Sequence, residues 1–205
     1  MKVWQPPTGT RGVDTYSHVS KEQARWLKDN GYDFVVRYLG NLDAPERDGI
    51  LDAGLALGLV TFAKEWNGLG ALQHLARLAV PQDATVFLDV EDVSLSPTDL
   101  VGAIEAWCRP VAGGGFDPGC YFGAKCLLTS EEMYALPQVR KYWHSCSRVI
   151  DRYGKEAGPQ CGWTMRQLSP PNVQLPCCYV DAEGNHHDVV ENDYSGRQVH
   201  LVVSG

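Results

Sequence analysis

Positive charge is scarce in this chain of 205 residues: 18 Lys plus Arg stand against 25 Asp plus Glu, a formal net charge of -7. Such a chain is a poor counter-ion for nucleic-acid phosphates or an anionic bilayer, so neither nucleic acid nor membrane is expected as a partner. No apolar run approaches the ~20 residues that cross a bilayer. The opening MKVWQPPTGTRGVD has one Lys but no apolar core of signal-peptide length, so synthesis in the cytoplasm without classical export is expected. GxGxxG is missing from the first strand-to-helix turn, and the P-loop pattern GxxxxGK is missing throughout, which removes the usual nucleotide readings. GxSxG is missing too, and with it the serine-hydrolase elbow. There is no CxxC pair and no Cys/His zinc spacing. His186-His187-Asp188 does not repair this, because neighbours on a strand point to opposite faces. No metal or other cofactor is expected. The seven cysteines, Cys108, Cys120, Cys126, Cys146, Cys161, Cys177 and Cys178, read as reduced thiols, mostly small buried residues.

Hydrophobic residues make up 44% of the chain and charged residues 21%, which excludes general disorder. No linker or low-complexity stretch divides it, so residues 1–205 are expected to form one domain. Strand-type runs recur at 12–16, 33–39, 59–66, 85–92, 119–123, 142–147, 163–168 and 188–194. Several are almost continuously apolar, as strands covered on both faces are. Helix-type runs lie between them. Ser20 precedes KEQARWLKDN with Gln23 three residues on, the pattern of a capping box. Further helices are expected over 45–57, 69–80 and about 97–111, the last opened by Ser96-Pro97, with a short one after Thr129. Residues 181–185 (DAEGN) read as a hairpin turn. The alternation is that of an α/β protein, either an open doubly wound sheet or a closed (β/α)8 barrel.

Acidic residues fall at the ends of these strand runs: Asp14 on the first, Glu65 on the third, Asp89, Glu91 and Asp92 on the fourth, Glu191 and Asp193 on the last. In a parallel barrel those ends converge on one mouth, where active sites are built. Asp89 and Glu91, two apart on a strand, share a face. Two neighbouring carboxylates in a partly apolar site cannot both ionise freely, so one becomes a candidate acid and the other a candidate charge stabiliser. Glycoside hydrolysis needs that division. Tyr16, Tyr38, Trp66, Tyr121, Trp143 and Trp163 lie in or beside the same strands. Their rings can stack on sugars, or can simply fill the core. Arg37, a charge inside a strand, needs a carboxylate partner: one of the site acids, or a structural partner at the barrel mouth.

Taken in order, Gly12-Val13-Asp14, Asp89-Val90-Glu91, Gly119-Cys120-Tyr121, Trp143, the run 163–168 ending Arg166-Gln167-Leu168, and Val190-Glu191-Asn192-Asp193 resemble glycoside hydrolase family 25. These are the lysozymes that act as N-acetylmuramidases. The opening stretch from Gly12 to Gly40, with its Arg37-Tyr38 pair, is more similar still to a group of glycoside-hydrolase-like domains, domain of unknown function 1906. The resemblance runs in order along nearly the whole chain. It implies a small single (β/α)8 TIM-type barrel, with an irregular last third allowed. It implies Glu91 as proton donor, Asp89 as charge stabiliser or orienter of a substrate N-acetyl group, and Asp14 completing the acidic floor. Gln167 matches a hydrogen-bonding glutamine of the lysozymes, while Glu191 and Asp193 alter the lysozymes' final acidic pair. Tyr16, Arg37, Glu65, Trp66, Tyr121, Trp143, Gln167, Glu191 and Asp193 are the expected substrate-binding residues. The expected partner is a glycan, peptidoglycan or a related wall polysaccharide, met by a monomer after lysis or non-classical export. The alternative is a catalytically inactive glycan-binding or interaction module on the same barrel.

Overall fold

The computed structural model describes residues 1–62, 67–146, 148–157, 164–167, 190–194 and 200–205, with backbone alone over 190–194. The apolar runs form strands. They are β1 (Lys2–Trp4), β2 (Arg11–Thr15), β3 (Phe34–Tyr38), β4 (Ala56–Phe62), β5 (Thr85–Val90), β6 (Asp117–Phe122), β7 (Lys141–His144), β8 (Met165–Gln167), β9 (Val190–Tyr194) and β10 (Leu201–Val203). Five helices lie among the described residues: α1 (Lys21–Asp29), α2 (Ala44–Asp52), α3 (Gly68–Arg77), α4 (Pro97–Gly113) and α5 (Ser130–Ala135). The expected capping box forms at α1, where Ser20 Oγ accepts from Gln23 N and Gln23 Oε1 accepts from Ser20 N. Thr129 and Glu132 build a second one at α5. Helix α2 ends earlier than its apolar pattern implied. Gly54 takes a φ of 80°, and Ala56-Leu57 belong to β4 instead.

Strands β2 to β8 run parallel in chain order, each paired to the next. The closed (β/α)8 barrel expected from the sequence is not what forms. The parallel sheet is a curled seven-strand half-barrel, open between β2 and β8, with five described helices. β9 lies in that gap and runs antiparallel to both of its neighbours. A further parallel strand would need a helix-length crossover to bring the chain back to the bottom of the sheet. An antiparallel strand starts at the end of the sheet where β8 stops. β10 pairs antiparallel with β4, and β1 with β10, so the two ends of the chain extend the sheet outside the parallel run.

The curl gives every parallel strand an inner and an outer face. Val13, Val35, Leu57, Val86, Leu88, Cys120 and Phe122 face outward and pack with the helices in the larger core. Phe34, Val36, Val60, Phe87, Tyr121, Trp143 and Met165 fill the inner face. Both faces of the central strands are therefore dry, which explains their continuous apolar runs. Cys108, Cys120 and Cys126 are buried free thiols, as expected, whereas Cys146 is exposed. Burial pushes the Cys120 thiol well up, with Cys108 beside it. Cys161, Cys177, Cys178 and the expected hairpin turn lie outside the described residues. Among the described residues, no helix is long and apolar enough to cross a membrane.

Candidate active site

The inner columns change character along their length. Each begins apolar and ends polar: Val36 then Tyr38 on β3, Phe87 then Asp89 on β5, Trp143 then Ser145 on and beyond β7, Met165 then Gln167 on β8. Because side chains alternate with a period of two, each polar residue stands directly above its apolar predecessor. In a parallel sheet all these C-terminal ends lie together. The outcome is a polar layer on an apolar plug, at the end where open α/β sheets and barrels place their sites.

Asp89 is at its centre, 3% exposed. Tyr38 Oη donates to Asp89 Oδ2 at 3.0 Å, and Asp89 Oδ1 is buried with no hydrogen-bond partner among the described residues. Burial in this apolar setting, then the nearby charge of Glu91, raise the Asp89 carboxyl to about 7; the Tyr38 hydrogen bond pulls the other way. Glu91, half-buried just past the end of β5, is also raised, by burial first and then by Asp92, with Tyr121 opposing. Asp92 turns the chain away at a φ of 50° and pairs with Lys125 at 2.7 Å on the surface. The pair expected from the sequence is thus brought together with one carboxyl buried and the other facing outward.

Asp14, on β2, joins through Gln167. Gln167 Nε2 donates to Asp14 Oδ1 and Oδ2 at 3.2 and 3.3 Å. Gln167 Oε1 accepts from the Tyr121 hydroxyl at 2.9 Å and from the Cys146 amide at 3.3 Å. Donors on one side and a carboxylate on the other fix which way the amide points. The Tyr121 hydroxyl also lies 2.9 Å from Ser145 Oγ, so its one proton is shared among neighbouring acceptors. Burial, and then Glu91, raise the Tyr121 phenol far above its usual range, so it stays a neutral donor.

The aromatic expectations divide. Tyr16 is 51% exposed and packs against Tyr38 and Phe62, with ring centroids 5.6 and 5.4 Å away; Tyr38 and Phe62 stack at 4.2 Å. This is an open aromatic surface beside Asp89. Trp143, by contrast, is 2% exposed and meets Tyr121 and Phe87 edge-on, so its ring supports the floor and offers no face to a ligand. Tyr121 is buried as well and reaches the site through its hydroxyl.

Arg37 does not join the acids. It alternates with Val36 and Tyr38, so it points outward, fully buried. There Nε and Nη2 bond Glu46 of α2 at 2.6 and 3.2 Å, and Nη1 donates to the Thr15 carbonyl. Glu46 also accepts from Val19 N at 2.7 Å. The expectation that Arg37 binds substrate is corrected: its charge is spent on tying the β2–α1 loop to α2. His18, Asp43 and Glu46 come within 4.8 Å of one another, the spacing of a metal cluster. Glu46 is already held by Arg37 and Val19, so the cluster lacks a free buried ligand. Glu65 and Trp66 lie outside the described residues. β9 carries the backbone of Glu191 and Asp193 beside Val13 and Arg11 of β2; their side chains are outside the description.

The sequence reading missed Ser145 and Glu46, and it did not assign Tyr38 to the site. Period-two continuation from Trp143 and from Val36 was the available signal for Ser145 and Tyr38.

No family model and no curated protein matches this chain. Solved structures of the same fold do. An uncharacterized protein from B. stearothermophilus is 21% identical, with 91% of this chain and 96% of that one covered at a TM-score of 0.64. The bacterial lysozyme of Streptomyces coelicolor is 18% identical, covering 93% and 94% at a TM-score of 0.55. The muramidase of Trichobolus zukalii is 16% identical, covering 92% and 94% at a TM-score of 0.56. At these identities the likeness is one of fold, and the fold is one that lysozymes and muramidases adopt.

Proposed function

We propose that this chain is an O-glycosyl hydrolase related to glycoside hydrolase family 25 and to the domain of unknown function 1906, acting on peptidoglycan or a related wall glycan. The observation that carries the reading is the Asp89–Glu91 pair at the end of β5, Asp89 buried and Glu91 half-buried, joined by Asp14 and Gln167 in one polar layer. The shared fold with a lysozyme and a muramidase supports the choice of substrate class.

Burial and the charge of Glu91 raise Asp89 to about 7, and burial raises Glu91 as well, so both carboxyls hold protons more readily than carboxyls in water. A substrate N-acetyl N–H donating to Asp89 Oδ1 favours the ionised form of Asp89, whose charge in turn favours the protonated form of Glu91. Glu91, the outer member, gives that proton to the glycosidic oxygen as the C1–O bond breaks. Asp89 and Asp14 face the positive charge that develops on the sugar ring. Tyr16 stacks on a ring of the glycan, and Tyr38 and Gln167 hold the two supporting carboxylates in place.

The test is a count of new reducing ends. Purified protein is incubated with peptidoglycan and with a panel of N-acetylated and plain polysaccharides. The reading expects reducing ends from at least one N-acetylated glycan. Binding without any new reducing end, across the panel, would instead fit an inactive glycan-binding module.

A further inference from the structure

Four glycines on the inner face each sit directly opposite a larger residue of the neighbouring strand. Gly12 lies beside Phe34, Gly58 beside Val36 and Gly119 beside Phe87, all in register. A methyl group on Gly58 would stand 2.9 Å from Val36 Cγ2, and one on Gly119 would stand 2.7 Å from Phe87 Cδ1; one on Gly12 would overlap the Phe34 ring. The larger side chain therefore leans sideways into a notch that the glycine leaves open. Three notches hold apolar residues of the plug. The fourth is different.

The β5–β6 ladder runs on past its strand ends, because Gly123 N donates to the Val90 carbonyl at 3.1 Å and Asp92 N to the Ala124 carbonyl at 3.0 Å. Continuing the register that pairs Asp89 with Tyr121, Gly123 falls beside Glu91. A methyl group there would overlap Glu91 Oε2, lie 2.6 Å from Glu91 Cβ and lie 2.9 Å from Tyr121 Cε1. Turning the carboxylate away relieves the first contact but not the second, since Cβ is fixed by the backbone. We infer that Gly123 is a positioning residue: its missing side chain is the seat that holds Glu91 against Tyr121 and over the groove. The role rests on the reading of Glu91 as proton donor, but the seat itself does not.

The experiment uses Gly123→Ala, with Gly102→Ala as control, because a methyl on Gly102 in α4 meets nothing within 4 Å. The Glu91 carboxyl is followed by carbon-13 titration, its signal assigned by its loss in Glu91→Gln. The seat predicts that Glu91 titrates above the ordinary glutamate range in wild type and Gly102→Ala, and falls back towards it in Gly123→Ala as the carboxyl swings into water. On an active glycan, kcat should fall about 10- to 100-fold in Gly123→Ala while KM changes less than about threefold. If Gly123→Ala does not fold, Glu91→Gly/Gly123→Ala should be more stable than the single variant, because both contacts to residue 91 are gone and only the 2.9 Å approach to Tyr121 Cε1 remains. A Glu91 titration unchanged by Gly123→Ala, or a double variant as unstable as the single one, overturns the seat. Absence of turnover in wild type would end the hydrolase reading and leave the titration to decide the seat alone.

Discussion

Tyr38 Oη lies 3.0 Å from Asp89 Oδ2 and is the hydrogen bond that restrains the proton affinity of a carboxyl otherwise driven up by burial and by Glu91. Tyr38→Phe removes that donor and leaves the packing with Tyr16 and Phe62 intact. Asp89 should then titrate above the value of about 7 it has in the native site. Carboxyl carbon-13 titration of the two proteins checks this. A lower Asp89 value in Tyr38→Phe would show that the hydrogen bond does not favour the charged form.

The same carboxyl makes stability depend on pH. Its folded-state value, about 7, lies above its ordinary value of 3.8, so unfolded chains release this proton first. The stability tied to the neutral form is fully present below about pH 4 and is lost as pH rises through about 7. Asp89→Asn cannot ionise. It should melt several degrees above wild type at pH 8, and the gain should shrink towards pH 4, since each pKa unit is worth about 1.4 kcal/mol and each kcal/mol about 2–4 °C at this size. Melting curves across that range test it; a gain independent of pH would contradict it.

Arg37 and Glu46 form a fully buried ion pair. Removing one partner strands the other charge, which typically costs about 3–5 kcal/mol, whereas replacing both by apolar residues of similar size is often neutral. Arg37→Met should therefore lower the melting temperature by roughly 6–20 °C. Arg37→Met/Glu46→Leu should recover most of the loss. Equal losses in the single and double variants would show that the carbonyl bond to Thr15, not the pair, holds the loop.

Much of this arrangement was legible in the sequence, and what was not has physical reasons. The strands and the capped helices were readable because period-two burial and the Ser20–Gln23 box are local patterns. Asp14, Asp89 and Glu91 could be placed because strand ends in a parallel sheet share one side, whereas Gln167 was named through the family resemblance. The direction of β9 was not readable: alternation looks the same whichever way a strand runs, so the barrel was expected to close with an eighth parallel strand. The partner of Arg37, a site acid or a structural one, stayed open because the sequence shows a charge in a strand but not which face is inner. That was decided by Glu46, nine residues on in α2. Trp143, inside an apolar run, could be core or sugar wall from its sequence, and Phe87 and Tyr121 around it show that it is core.

Gln167 connects Asp14 to Tyr121 through opposite ends of one amide. Gln167→Leu keeps its bulk and removes both connections. If the polar layer works as a unit, turnover should fall about 10- to 100-fold while the fold is retained, the loss expected from small misplacement of reacting groups. Steady-state kinetics with a circular dichroism control decides it, and unchanged turnover would separate Asp14 from the chemistry.

The central claim is that Glu91 donates the proton that breaks a glycosidic bond. Reducing-end release from peptidoglycan by wild type and by Glu91→Gln, at equal protein and matched melting temperature, tests it most directly. The account predicts turnover in wild type and a loss of at least about 100-fold in Glu91→Gln, with glycan binding kept, in line with the scale of general acid catalysis. Equal release by the two proteins would contradict it.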